Sequence, residues 1–103
     1  MVFKVVFHPA AERELDDLFD AIALNAGPLV ASRYIEGLLD FVEGLAGFPK
    51  RGTIRDGKVE GLRIIGYQRR VSVGFVVNDE TVTILGVFAK GRNVTSDLLA
   101  ERL

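Results

Sequence analysis

Two stretches of helical hydrophobic spacing, each headed by a proline, stand only three residues apart, and this pairing restricts the fold more than any other feature. Pro9 follows His8, and a stripe of Ala11, Leu15, Leu18, Phe19 and Ile22 recurs at helical spacing behind it. Proline is favoured at the first helical position, where its missing N–H is no loss, and the acidic Glu12, Glu14, Asp16 and Asp17 suit the positive end of the helix dipole. The spacing predicts a helix over residues 9–24. Asn25, Ala26 and Gly27 interrupt it, and Pro28 heads a second stripe of Val30, Tyr34, Leu38, Phe41, Val42 and Leu45. Two helices with so short a link form an antiparallel hairpin.

The rest of the chain alternates with the period of strands. Phe3, Val5 and Phe7 share one face of an N-terminal strand and Lys4 lies on the other. Residues 62–67, 70–77 and 81–88 read as three consecutive strands joined by turns at residues 66–69 and 78–80. Between the helices and these strands, residues 47–61 are rich in glycine, proline and charge and read as an exposed loop. A short helix over residues 94–102, anchored by Leu98, Leu99 and Leu103, closes the chain. The fold expected is α+β: the hairpin covers one face of a mostly antiparallel sheet, in one domain spanning residues 1–103.

Val71, Val73, Phe75 and Val77 are bulky enough to face the hairpin. Ser72, Gly74 and Val76 then point to the second face, where Arg63, Ile65 and Tyr67 are expected to join them. Small residues at Ser72 and Gly74, and at Gly86, leave a shallow floor where another backbone can approach closely. The last strand, TVTILGVFA, is apolar on both faces, so either the C-terminal helix or a partner covers the second one.

Charge is divided unevenly. Residues 1–46 carry 3 basic and 8 acidic side chains, residues 47–92 carry 9 and 4, and residues 93–103 carry 1 and 2, which gives the overall net charge of −1. An acidic helical side and a basic sheet side follow, the latter a candidate for anionic partners or an acidic peptide, the alternative being a solvated charge distribution with no partner. The absence of cysteine excludes a disulfide framework, a thiolate metal site and a cysteine nucleophile, and suits a cytoplasmic protein. No apolar run approaches the roughly 20 residues of a membrane span, and the N-terminal stretch reads as a strand rather than a signal peptide.

Catalytic chemistry finds little support. His8, the one histidine, reads as a helix cap or surface residue, and one histidine without cysteine makes no transition-metal site. Asp16, Asp17 and Asp20 belong to a solvated acidic face rather than a magnesium site. Ser32, Ser72 and Ser96 lack the G-x-S-x-G setting of a nucleophile. The segment GFPKRGT fails as a phosphate loop, because Pro49 has no N–H to donate and Lys-Arg-Gly-Thr replaces Gly-Lys-Thr. A basic set remains: Arg63, Arg69, Arg70, Lys90 and Arg92. It supplies the cations that metal-independent RNA cleavage needs but not the acid and base, since Tyr67 is the one tyrosine near the basic strands. A protein-binding rim is the better reading.

The opening FKVVFHPAAERELDDLFDAIA, the second helix ASRYIEGLLDFVEGLAGFP, the triplet Gly61-Leu62-Arg63 and the ending TVTILGVFAKGRN resemble ParE-type toxins of the RelE/ParE superfamily, in matching order over about residues 2–93. The resemblance implies a non-enzymatic bacterial toxin of a type II toxin–antitoxin system that inhibits DNA gyrase and is neutralised by a ParD-like antitoxin. It also implies a hetero-oligomer that meets DNA only through the antitoxin, and no cofactor, metal or membrane. Arg63, Arg70, Lys90 and Arg92 are then expected to bind the target, and Ile65, Tyr67, Ser72, Gly74, Val76 and Phe88 the antitoxin. The alternative within the superfamily is a RelE-like ribosome-dependent mRNA endonuclease. Arg63 and Arg92 fit positions used by such ribonucleases, but the tail NVTSDLLAERL lacks the tyrosine expected beyond them.

Overall fold

A computed structural model describes residues 3–50, 52–54, 59–89 and 99–102. Strand β1 (Lys4–Phe7) leads into α1 (Pro9–Ala26) and α2 (Pro28–Glu43), which ends in a 3₁₀ turn (Gly44–Ala46). The strands β2 (Thr53–Ile54), β3 (Arg63–Tyr67), β4 (Val71–Asn78) and β5 (Thr81–Ala89) follow. Among the described residues the sheet order is β1-β5-β4-β3-β2; β1 runs parallel to β5 and every other pair is antiparallel. The expected architecture is the one observed. Of the predicted C-terminal helix, residues 94–98 and Leu103 lie outside the described residues, while Leu99 and Ala100 are helical.

Local chemistry accounts for the hairpin. His8 caps α1, its Nδ1 accepting from the Ala10 N–H at 3.0 Å, so the first-turn donors are not left to Pro9, which has none. α1 runs two residues further than its stripe predicted, and Asn25 in that extra turn donates its amide to the Ala21 carbonyl. Gly27 then stops it at φ 92°, a backbone conformation that side-chain-bearing residues resist, and serves at once as C-cap of α1 and N-cap of α2.

The main core lies between hairpin and sheet. Ala11, Leu38, Val42 and Leu45 meet Val71, Val73, Phe75, Val82, Ile84 and Val87 there. A second cluster on the other face joins Val59, Leu62, Val76, Leu85, Phe88 and Leu99. One irregularity lets β5 serve both. Gly74 stands opposite Gly86 and Phe75 opposite Ile84, so Leu85 is an extra residue on β5. This bulge returns Val87 to the hairpin face with Ile84, and Phe88 to the second face with Leu85.

Two expectations are corrected. Arg63, Ile65 and Tyr67 do not share the face of Ser72, Gly74 and Val76, because they stand opposite Phe75, Val73 and Val71. The β3–β4 connection has three residues, with Gln68 and Arg69 both left-handed at φ 51° and 58°. A loop one residue longer or shorter exchanges the faces of a strand. Ile65 and Tyr67 therefore pack against the main core, and Ile64 lies on the second face. The segment over residues 47–61 is also not wholly an exposed loop: Thr53 and Ile54 form the fifth strand against Ile64 and Arg63, and Pro49 and Val59 are buried.

Candidate functional site

The second face of the sheet is built from the small floor that the sequence predicts. Ser72, Gly74, Val76 and Phe88 all reach it, Ser72 lying opposite Phe88 and Gly74 opposite Gly86. The floor is filled by the chain's own C-terminal segment. A Cβ on Gly74 would meet Leu99 Cδ1 at 3.0 Å and Ile64 Cδ1 at 3.3 Å, so the missing side chain is the space in which Leu99 sits. Leu99 is fully buried there.

A polar clamp fastens the same segment. β1 ends its pairing with β5 at Ile84, and from Leu85 onward the β1 side of β5 has no strand partner among the described residues. Two side chains replace the strand. Glu14 Oε1 accepts the Val87 N–H at 3.1 Å, and Arg102 Nη1 donates to the Leu85 carbonyl at 2.8 Å. Arg102 and Glu14 meet each other in a two-pronged pair, Nη1 to Oε1 at 2.8 Å and Nη2 to Oε2 at 3.2 Å. The guanidinium also lies 5.4 Å from the centre of the Phe88 ring. Gly86 leaves room for this stack, since a Cβ there would overlap Phe88 and lie 2.8 Å from Arg102 Nη1. Neither Glu14 nor Arg102 stood out in the sequence.

The basic positions do not form one patch. Arg63 opens β3, half-buried beside Ile54 and opposite Phe75, whereas Arg70 is exposed in the turn beyond the far end of β3. At about 3.3 Å per strand residue the two are separated by more than roughly 13 Å. Lys90 and Arg92 lie outside the described residues.

Arg70 borders a different feature. A pocket of about 280 Å³ opens between the free end of the hairpin and the start of β4, lined by Leu18, Ile22, Val30, Val71, Tyr34 and Arg70 among others. The Tyr34 hydroxyl is buried with no hydrogen-bond partner among the described residues. Burial pushes its pKa up, the nearby Tyr67 adds to the rise, and Arg70 opposes it. Tyr67 itself is held between Phe41, 5.0 Å away ring to ring, and Tyr34 at 5.7 Å, and its hydroxyl accepts from the Gln68 amide.

The sequence matches the profile of the ParE toxin of the type II toxin–antitoxin system parDE over residues 5–94, which takes in both helices, β2 to β5 and all of β1 but Lys4. The chain belongs to the ParE toxin family. Among curated protein sequences none matches this ParE-family chain. Its fold is similar to a chain of the chromosomal ParDE TA system from P. aeruginosa, with a TM-score of 0.74 and 22% identity over 85% of this chain and 96% of that one. It is also similar to a chain of the toxin–antitoxin complex RelBE2 from Mycobacterium tuberculosis, with a TM-score of 0.68 and 20% identity over 87% and 100%. These likenesses establish the α+β fold of the toxin. Among its described residues no helix is long and apolar enough to cross a membrane, and no group of histidine, cysteine and carboxylate side chains is placed to hold a metal ion.

Proposed function

We propose that this toxin acts by binding, that its target is DNA gyrase, and that a ParD-like antitoxin neutralises it by engaging the second face of the sheet around Ser72, Gly74, Val76 and Phe88. The family match over residues 5–94 carries the reading. Side-chain placement supports binding over RNA cleavage. The chain has one histidine and two tyrosines, and all three have structural posts: His8 caps α1, and Tyr34 and Tyr67 pack on each other beneath the hairpin. A histidine or tyrosine that does general acid–base work on a 2′-hydroxyl has to be free to approach substrate.

The second face suits an antitoxin because it is an apolar surface already adapted to receive a segment of chain; since Leu99 covers it in the free toxin, the antitoxin segment would take the place of the C-terminal one there. Leu99 shows the kind of contact it takes: an aliphatic side chain lowered onto a glycine. An antitoxin segment that orders on binding would bury its apolar residues against the same strands.

The test is to induce the chain alone in growing bacteria and follow labelled thymidine and labelled amino acid over the first minutes. DNA synthesis stopping first, with supercoiling by purified gyrase inhibited, is the expected result. Protein synthesis stopping first, with mRNA cut, would replace this reading by the endonuclease, with Arg63 and Arg92 as its first candidates.

A further inference from the structure

We propose that the pocket at the free end of the helical hairpin is where the toxin grips its target, and that it takes a protein segment presenting an apolar side chain beside a carboxylate. The inference deepens the binding reading above and rests on it. It concerns the hairpin side of the sheet, across from the face that Leu99 occupies.

The walls select the apolar part. Leu18 and Ile22 of α1, Val30 of α2 and Val71 of β4 line a space of about 280 Å³, just below the usual range for small-molecule and cofactor pockets, so it suits side chains. The same end of the hairpin leaves large apolar residues in solvent: Leu24 is 87% exposed, Leu29 64% and Val30 48%. Solvent-facing leucines beside an apolar pocket are what a docking surface needs and an isolated domain does not.

The polar groups select the carboxylate. Arg70 is exposed at the pocket and has no acidic partner among the described residues. Tyr34 lines the same pocket with a hydroxyl that has no acceptor, a buried polar group left unsatisfied in the free chain. The other polar side chain there, Asn25, already donates to Ala21. A carboxylate offers Arg70 the counter-charge it lacks.

The experiment co-expresses toxin and antitoxin to show that each variant folds and binds the antitoxin, then induces the toxin alone and counts survivors. Arg70→Glu and Val30→Asp are expected to lower killing at least tenfold while antitoxin still co-purifies, with Arg70→Lys retaining most of it. Wild-type killing by Arg70→Glu and Val30→Asp overturns the proposal, and so does loss of antitoxin binding in step with killing. Supercoiling by purified gyrase separates the two readings. Variants that inhibit gyrase as well as wild type sink the pocket and spare gyrase. A wild-type toxin that leaves gyrase active, while the variants have lost killing, spares the pocket and sinks gyrase. A wild-type chain that leaves growth untouched overturns both.

Discussion

Arg102 reaches back across 88 positions of sequence to grip Glu14, and through it the C-terminal segment is tied to the first helix over the unpaired half of β5. Both side chains are largely buried, 14% and 16% exposed, and both also satisfy β5 backbone groups. Replacing Arg102 by alanine leaves the Leu85 carbonyl and the Glu14 carboxylate short of a donor. The expected cost is about 1–3 kcal/mol, below that of a fully buried pair because water can reach the gap. Urea unfolding of Arg102→Ala, Glu14→Ala and the double variant measures it, and a coupling energy near zero would mean that the clamp holds nothing.

Gly74 sets a second expectation. A valine there has to displace Leu99 Cδ1, 3.0 Å from its Cβ, and crowd Ile64 at 3.3 Å. Overpacking of this kind costs about 1–3 kcal/mol. Antitoxin affinity should fall with it, because the same floor is where the antitoxin is proposed to engage. Gly66→Ala is the control, since a Cβ there has only ordinary contact with the Val71 carbonyl at 4.0 Å. Equal antitoxin affinity for wild type and Gly74→Val, by calorimetry, would move the antitoxin off this face.

Leu99 and Leu24 make a contrasting pair. Leu99 is fully buried in the second cluster and Leu24 is 87% exposed at the hairpin end. Leu99→Ala is expected to lower stability by about 2–4 kcal/mol, and Leu24→Ala to change it by less than about 0.5 kcal/mol. Chemical denaturation of both variants decides; a small loss for Leu99→Ala would mean that the C-terminal segment is not part of the folded unit.

Much of this was legible beforehand, because helices and edge-defined strands announce themselves locally. Pro9, Pro28 and Gly27 mark the hairpin, His8 caps where a cap was expected, and the alternation of Val71 to Val77 points the right residues at the hairpin. The misplaced face of Arg63, Ile65 and Tyr67 turned on whether the β3–β4 loop holds two residues or three, which no side-chain pattern in Gly66 to Arg70 decides. β2 was missed because both of its residues are exposed and it is defined only by its partner strand. The Glu14 clamp is non-local, yet one clue existed: Glu14 falls three residues after Ala11 and four before Leu18, which puts it on the buried side of α1 rather than on the acidic one.

Tyr34 gives the most direct test of the pocket's energetics. Its hydroxyl is buried and unpaired, so Tyr34→Phe should raise stability at neutral pH by about 1 kcal/mol, the reverse of the usual sign for trimming a core residue. The pH dependence follows from burial, the main cause of its raised pKa, with Tyr67 adding to it and Arg70 opposing. When the folded state holds the proton more tightly than the unfolded one, the protonated phenol's contribution is complete below the unfolded value near 10. It is lost as pH climbs from there through the folded value. Wild-type stability should therefore fall more steeply than that of Tyr34→Phe above about pH 10, and the advantage of the phenylalanine variant should widen. Thermal melts of the two proteins from pH 7 to 11 measure both effects. A destabilised Tyr34→Phe at neutral pH would mean that the hydroxyl has an acceptor after all.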